Sequence, residues 1–142
     1  MSKLFHRVNL LLGEETVQKF GSLRVIIFGL GGVGSWCAEG LVRNGFKKLT
    51  LVDYDTITET NCNRQLPATS KTIGRYKTDV LKERFEEINP DVEICVRSEV
   101  YSPANSELFH LSDYDVIVDC IDSMQCKMHL IQKKKFTIEG AR

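Results

Sequence analysis

Four glycines that directly follow a short apolar run limit what this chain can fold into more than any other feature. The run is residues 25–28, and Gly29, Gly31 and Gly34 follow it at the spacing G-x-G-x-x-G, with Gly32 between them. A β-branched and aromatic run of this length predicts a buried strand. Glycines between a strand and a helix let the backbone approach phosphate groups, which the free N–H groups of the helix then bind. The pattern predicts a nucleotide-phosphate cradle, with a turn needed only for packing as the alternative.

The residues after the glycines predict a helix. Apolar side chains recur there at helical spacing and would form one inward stripe: Val33, Trp36, Cys37, Leu41 and Val42. Asn44 and Gly45 would end this helix, because both residue types tolerate a positive φ angle.

Strand and helix patterns alternate along the rest of the chain. Further strands are predicted at residues 48–53, 92–96 and 115–122, with the start of another at 136–138. Helices are predicted at residues 8–20, 75–88, 103–111 and 123–135. In the first helix Gly13 is a candidate break, and the apolar side is formed by Leu11, Leu12, Val17 and Phe20. This alternation is typical of a doubly wound, mostly parallel, Rossmann-like α/β sheet flanked by helices, and the length predicts one domain.

Asp53 ends the second predicted strand. It lies about 20 residues beyond Gly34, which is where dinucleotide-binding folds place the acidic residue that holds a ribose. On spacing alone Asp53 serves the ribose of ATP or of NAD equally well. The polar stretch 54–72 follows the same strand, and its length indicates a functional loop at the ligand-binding edge of the sheet.

Composition adds information about partners and compartment. The 19 Lys and Arg residues balance 19 Asp and Glu residues, so net charge argues neither for nor against a nucleic-acid partner. No apolar run approaches the length of about 18 residues that a membrane span needs, and the N-terminus carries no signal-peptide core. The five cysteines contain no C-x-x-C pair, which favours a reducing compartment. We therefore expect a cytoplasmic protein with no membrane partner.

Five separated motifs narrow the prediction further. They are GLGGVG at 29–34, DYD at 53–55, NCNRQ at 61–65, GRYK at 74–77 and INP at 88–90. In this order they resemble the ubiquitin-activating-enzyme-like adenylating superfamily, which includes the enzymes that activate the C-terminus of sulfur-carrier proteins. Within it, the helix start GVGSW, the NCNRQ loop and the leading segment 7–14 are most similar to the tRNA threonylcarbamoyladenosine dehydratases.

The resemblance implies ATP and magnesium as cofactors. It assigns the nucleotide to Gly29, Gly31, Gly32, Gly34, Asp53, Asp55, Asn61, Arg64, Lys77 and Asp122. Asp53 would hold the ribose, Asn61 would help to fix the nucleotide, and Arg64 and Lys77 would neutralise charge that develops on the phosphates. Asp122 would bind magnesium. Arg7 matches an arginine that reaches the site of a neighbouring subunit in this superfamily, so the catalytic set is Arg64, Lys77, Asp122 and Arg7.

The implied reaction is ATP-dependent adenylation of a carboxylate, here the threonyl carboxylate of threonylcarbamoyladenosine in tRNA, followed by loss of water to give a cyclic product. A homodimer is expected, with the surfaces around the late strands and helices buried against the partner. The superfamily fold continues for about another hundred residues, as the resemblance implies. Residues 1–142 are therefore expected to be one Rossmann-like adenylation domain, the N-terminal part of a longer fold.

Other interpretations stay open at this point. The acceptor could be the C-terminus of a ubiquitin-like sulfur carrier. The chain could instead be an inactive nucleotide-binding or dimerisation fragment, or an NAD-dependent oxidoreductase, which the NCNRQ loop and Lys77 disfavour. Asp122 with Ser123 could simply cap a helix. The lysines at 133–135 are interpreted as a solvated helix end, with a tRNA phosphate patch as the alternative.

Overall fold

A parallel sheet forms the centre of the protein. The computed structural model describes residues 3–133 and 137–139. Its strands are β1 (Arg24–Phe28), β2 (Lys48–Val52), β3 (Glu93–Arg97), β4 (Val116–Asp119) and β5 (Thr137–Glu139). All neighbouring strands are parallel, in the order β3-β2-β1-β4-β5. The predicted Rossmann-like α/β fold is confirmed.

In the described residues, five α-helices connect and cover the strands. They are α1 (His6–Leu12), α2 (Glu14–Ser22), α3 (Gly34–Arg43), α4 (Lys77–Ile88) and α5 (Met124–Lys133). Short 3-10 turns lie at Glu59–Asn63, Ser106–Phe109 and Leu111–Asp113. None of the helices in residues 3–133 is both long and apolar enough to cross a bilayer.

Apolar side chains cover both faces of the sheet. One face packs against α3 and α4 through Ala38, Leu81 and Phe85. The other face packs against α5 and the late 3-10 turns, where the rings of Phe28 and Phe109 meet edge to face with centroids 5.3 Å apart. Successive side chains of a strand point to opposite faces, so strands buried on both sides need continuous apolar runs.

The N-terminal helix agrees with its prediction at Val17 and Phe20 but not at Leu11 and Leu12. Gly13, with φ +88°, breaks it into α1 and α2, as its position suggested. Val17 is buried and Phe20 stacks on Phe46 with ring centroids 4.6 Å apart. The inward assignment of Leu11 and Leu12 is wrong, because α1 packs only loosely on the body and leaves Leu11 82% exposed.

Two further predictions need correction, whereas the solvated helix end predicted at 133–135 agrees with the exposure of Lys133. Trp36 is 54% exposed, because the face of α3 that packs on the sheet carries Ser35, Ala38 and Val42 instead. The helix predicted at 103–111 is absent from that described segment, which forms two 3-10 turns separated by His110 in the left-handed conformation. Of the lysines at 133–135, Lys133 pairs with Glu107 at 2.6 Å, and the other two lie outside the described residues.

The strand order places a switch point between β1 and β4. The chain runs outward from β1 through β2 to β3, and then returns to the opposite side of β1 to form β4. Parallel α/β sheets bind ligands at such a point, outside the carboxyl ends of the strands. Gly29 follows β1 and Cys120 follows β4 at this edge, so the glycine loop lies where the fold favours a ligand.

Candidate functional site

A cavity of about 750 Å³ opens at the carboxyl edge of the sheet. The loops after β1, β2 and β4 and the beginning of α5 form most of its wall. The following sequence-predicted residues line it: Gly29, Gly31, Gly32, Gly34, Asp53, Asp55, Asn61, Arg64, Lys77 and Asp122. The fold therefore brings the predicted nucleotide and magnesium residues together, with the exception of Arg7.

The four glycines of the loop serve two different purposes. Gly29 has φ +90°, and a Cβ there would overlap the carbonyl oxygen of Cys120. A Cβ on Gly34 would overlap the carbonyl oxygen of Gly29. These two glycines are required by packing, since their neighbours are backbone atoms that cannot move aside.

Gly31 and Gly32 are not required by the packing of the protein itself. A Cβ on Gly31 would meet the Gln65 amide nitrogen at 3.7 Å, and one on Gly32 would meet Cγ of Arg64 at 3.5 Å. Both are ordinary van der Waals distances. The missing side chains instead leave backbone N–H groups open to the cavity, which is what close approach by a phosphate needs.

The Asp53 carboxylate joins β2 to the glycine loop. Its Oδ2 accepts a hydrogen bond from the Leu30 N–H at 2.8 Å, and its Oδ1 accepts one from the Asp55 N–H at 2.8 Å. A carboxylate has about four acceptor positions, so it can hold the loop and still accept ribose hydroxyl groups. The structure thus adds a loop-fixing role that the spacing argument did not predict.

Lys77 is a buried cation in the wall of the cavity. It begins α4 and is 4% exposed, and its Nζ lies 3.5 Å from Oδ2 of the half-exposed Asp55. A buried ammonium needs a compensating charge, and the distance to Asp55 is long for a charge-assisted hydrogen bond. The ammonium group is therefore poised to exchange or share this partner with an anionic ligand.

Asn61 belongs to the 3-10 turn after β2, and Arg64 directly follows that turn. The Thr58 N–H donates to Oδ1 of Asn61 at 2.9 Å, so the Asn61 side chain caps the turn. The exposed Arg64 guanidinium donates to the Thr60 carbonyl at 3.1 Å and to Oδ1 of Asn63 at 2.9 Å. These local bonds hold Arg64 at the rim, with its remaining N–H donors available to a ligand.

Asp122 fits a magnesium ion that arrives with a nucleotide. Its exposed carboxylate lines the cavity beside the glycine loop, and within residues 3–133 it makes no hydrogen bond or ion pair. Magnesium is usually held by one or two carboxylates together with phosphate oxygens and water. The described part of the chain has no cluster of three or more His, Cys, Asp or Glu residues that could hold a metal alone, in keeping with this mode.

Arg7 does not belong to the cavity of its own chain. It is exposed on α1, and it is not among the described residues that line the cavity. The neighbouring Phe5 and Asn9 line a second cavity together with Lys48, the first residue of β2, and therefore lie at the opposite edge of the sheet. An Arg7 side chain could act at a nucleotide site only in another copy of the chain.

Sequence reasoning missed three charged or polar residues near the cavity. Lys127 and Gln65 line it, and buried Asp119 pairs with Lys127 at 2.9 Å. Gln65 is buried, and its Oε1 has no hydrogen-bond partner among the described atoms. A signal was present for Lys127, which shares the inward side of α5 with Leu130, a position where a charge is unexpected.

Two cysteines, Cys120 and Cys126, line the cavity, and Cys120 is a packing residue. Burial raises the pKa of the Cys120 thiol to about 11. The thiolate is the reactive form of cysteine, so at neutral pH Cys120 stays protonated and serves as a small packing residue against Gly34.

Comparison with known proteins agrees with this geometry. The model of the ThiF family matches residues 6–140. The tRNA threonylcarbamoyladenosine dehydratase of Haemophilus influenzae is 39% identical over 127 residues, which are 89% of this chain and 49% of that protein. The adenylyltransferase and sulfurtransferase uba4 of Aspergillus clavatus is 36% identical over 113 residues, 79% of this chain and 23% of that protein.

A solved structure is similar over nearly the whole fold. The crystal structure of Escherichia coli tRNA N6-threonylcarbamoyladenosine dehydratase, TcdA, in complex with ATP superposes with a TM-score of 0.92 at 34% identity. The match covers 96% of this chain and 58% of that one. The chain thus spans about half the length of the curated dehydratases that it matches.

Proposed function

The chain belongs to the ThiF family, and from this premise we propose that residues 1–142 are one Rossmann-like adenylation domain of a longer family fold. The proposed activity is ATP-dependent activation of a carboxylate. One observation carries it: the buried Lys77 ammonium faces the same cavity as Gly31 and Gly32, two glycines that the packing does not require. A site is suited to phosphate groups when glycines leave its backbone accessible and a buried cation in its wall has only a distant partner.

The proposed chemistry is transfer of an adenylyl group. A carboxylate oxygen attacks the α-phosphorus of ATP, a new P–O bond forms, and the bond to the β-phosphate breaks to release pyrophosphate. Negative charge increases on the phosphate oxygens, and fixed cations around them lower the barrier. Lys77 from α4 and Arg64 from the rim would supply that charge, and Asp122 would hold a magnesium ion, which would add further positive charge at the phosphates.

The remaining side chains would orient the nucleotide. Asp53 would accept the ribose hydroxyl groups through the acceptor positions that the loop N–H groups leave free. Asn61 would fix the nucleotide through its amide nitrogen, because its oxygen already caps the 3-10 turn. Similarity to the ATP complex of TcdA supports ATP as the nucleotide.

The proposed acceptor is the threonyl carboxylate of threonylcarbamoyladenosine in tRNA, which after adenylation loses water and cyclises. Its support is the similarity to several tRNA threonylcarbamoyladenosine dehydratases at 36–39% identity. The alternative acceptor, the C-terminus of a ubiquitin-like sulfur carrier, is supported by the similarity to uba4. Free thiols at all five cysteines agree with a cytoplasmic setting, which we include in the proposal.

The acceptor can be identified by exchange of labelled pyrophosphate into ATP. Tests would compare tRNA that carries threonylcarbamoyladenosine, the same tRNA without the modification, and a sulfur carrier that ends in Gly-Gly. We expect exchange only with the modified tRNA. Exchange only with the carrier would favour the alternative, whereas binding of magnesium-ATP without exchange would identify an inactive nucleotide-binding module. Stabilisation by NAD equal to that by ATP would contradict the adenylation site itself.

We also propose that the chain works as a homodimer, and that its interface includes α1. Leu10 and Leu11 are 74% and 82% exposed on the same short helix as Arg7. A second copy of the chain that packed on this apolar surface would bury it. The nucleotide cavity of that second copy could then receive the Arg7 side chain of the first. The late-strand surface expected from the sequence is part of the same proposal.

Light scattering at micromolar concentration tests the dimer. The double variant Leu10→Glu, Leu11→Glu should be a monomer, while the control Ile73→Glu, at an exposed residue outside both proposed surfaces, should leave the mass unchanged. Mixing inactive Arg7→Ala with inactive Lys77→Ala should recover exchange activity, because one site of a mixed dimer would have both residues. A monomeric parent chain, or no recovery on mixing, would remove the role of Arg7 across subunits.

A further inference from the structure

A buried ion pair flanks the turn that carries the proposed magnesium ligand, Asp122. Asp119 ends β4 and is fully buried, and Lys127 on α5 is 7% exposed with its Nζ 2.9 Å from Oδ2 of Asp119. Burying two charges costs desolvation energy that their attraction barely offsets, so such a pair is weakly justified by stability alone. Its position in the wall of the cavity suggests a different purpose.

The pair fixes the backbone turn between β4 and α5. Oδ1 of Asp119 accepts the Ile121 N–H at 3.1 Å, while the Lys127 ammonium forms an ion pair with Oδ2 and donates to the Asp119 carbonyl at 3.5 Å. At the far end of the turn the Lys127 N–H donates to the Ser123 carbonyl at 2.9 Å. One residue, Lys127, is therefore bonded to both ends of the segment that carries Asp122.

Asp122 has no other restraint on its side chain. Its carboxylate makes no hydrogen bond or ion pair within residues 3–133, so its location depends on the backbone of this turn. The same turn contacts the phosphate loop, because the Cys120 carbonyl lies where a Cβ of Gly29 would be. A shift of the turn would move Asp122 relative to Gly31 and Gly32, and with it the place where the Asp122 carboxylate could hold a metal.

We propose that Lys127 is a positioning residue for metal binding, and that it acts through Asp119 to hold Asp122 beside the glycine loop. This inference rests on the proposed function only in naming magnesium-ATP as the ligand. Outer partners of metal ligands typically change metal affinity by about 10–100-fold when they are removed. Lys127 itself needs no contact with the nucleotide.

The first test needs no ligand. Amide hydrogen exchange at Ile121 should become faster in Lys127→Met, because the carboxylate that accepts this N–H loses its fixed partner. Lys133→Met is the matched control, since it removes an exposed ion pair with Glu107 from the same helix and should leave exchange at Ile121 unchanged. Unchanged exchange in Lys127→Met would overturn the proposal, whether or not the protein binds ATP.

The second test separates metal from nucleotide. We expect Lys127→Met to raise the magnesium concentration for half-maximal ATP binding about 10-fold, while the dissociation constant for AMP without metal stays within about twofold. Equal losses for AMP and for magnesium-ATP would overturn the proposal in favour of direct nucleotide contact. Failure of the parent chain to bind ATP would instead contradict the proposed function, and Ile121 exchange would then decide the role of Lys127.

A double-mutant cycle shows whether Lys127 acts through Asp119. Asp119→Asn alone should raise the magnesium requirement as Lys127→Met does, and the double variant should do no more, because both changes break the same link. The double variant also leaves no unpaired buried charge, so it keeps the test valid if Lys127→Met does not fold. Additive effects of the two changes would overturn the link to Asp119.

Discussion

The two edges of the sheet each carry a cavity, but they differ in what lines it. The carboxyl edge encloses about 750 Å³ and combines open glycines with the buried ammonium of Lys77 and the unpaired carboxylate of Asp122. The amino edge encloses about 570 Å³ beneath α1 and α2. Its charged lining residues are all partly exposed and of both signs: Glu14, Lys47, Lys48 and Asp91.

The two cavities differ more in the burial and pairing of their charged groups than in size. A charged group in water pays no desolvation free energy, whereas a buried charge with a weak partner does, unless a ligand compensates its charge. The carboxyl edge concentrates such groups around exposed backbone, while the amino edge leaves its charges to solvent. Four predictions test this contrast, in order of decreasing effect.

The largest effect is expected where the glycine loop packs against itself. Gly34→Ala should lower the free energy of unfolding by about 3 kcal/mol or more, since its Cβ would overlap the Gly29 carbonyl. Gly40→Ala in the same helix is the control, with nothing within 4 Å of a Cβ, and should raise it by about 0.5–1 kcal/mol. Urea unfolding measures both, and equal stabilities would show that the loop can relax.

The next largest effect is expected from replacing one lysine in the cavity at each edge of the sheet. Lys77→Met should fold and lose about 10–100-fold in ATP affinity, because a charged hydrogen bond to phosphate contributes about 1.5–3 kcal/mol. Lys48→Met at the amino edge removes a lysine of the other cavity and should leave ATP affinity unchanged. Isothermal titration calorimetry measures both. An equal loss in the two variants would abolish the distinction between the edges.

A smaller effect is expected at the open glycines. Gly31→Ala and Gly32→Ala should retain the stability of the parent chain, because a Cβ there meets only ordinary contacts. Both should weaken ATP binding about 10-fold, because the methyl group would occupy space that a phosphate group needs. Thermal unfolding with and without ATP separates the two properties. If either variant were unfolded without ligand, packing would require that glycine as it requires Gly34.

The smallest effect appears only at high pH. Burial raises the pKa of Tyr101, which lines the carboxyl-edge cavity, to about 12. The unfolded chain releases this proton near pH 10, about the ordinary value for tyrosine. The folded state therefore binds more protons between these values, and stability is lost as pH rises from about 10 through about 12.

Tyr101→Phe should flatten this dependence. Comparison of urea unfolding at pH 9 and pH 11 would show a smaller loss in the variant than in the parent chain. A control is Tyr54→Phe, because Tyr54 is exposed at the mouth of the same cavity. If Tyr54→Phe flattened the curve as much, burial of Tyr101 would not be the cause.

Much of the site could be predicted from the sequence because its parts follow strand ends. In a parallel sheet, residues after successive strands meet at one edge, so GLGGVG and Asp53 were expected together without any knowledge of contacts, and the family resemblance added Asp122. The prediction failed for Leu11 and Trp36, since helical spacing identifies an apolar stripe but not whether another element covers it. It was also silent about the buried pair of Asp119 and Lys127, whose partners lie eight residues apart on different elements.

The sequence by itself determined the α/β class, most of the order of strands and helices along the chain, and the glycine loop after the first strand. These depend on local patterns, because the alternation of apolar residues and the conformational freedom of glycine act within a few residues. Only the tertiary structure decided which glycines are packed and which are open, that Lys77 is buried while Arg64 stays at the rim, and that Arg7 lies at the opposite edge. Those properties depend on which distant atoms surround a residue, and spacing along the chain does not contain that information.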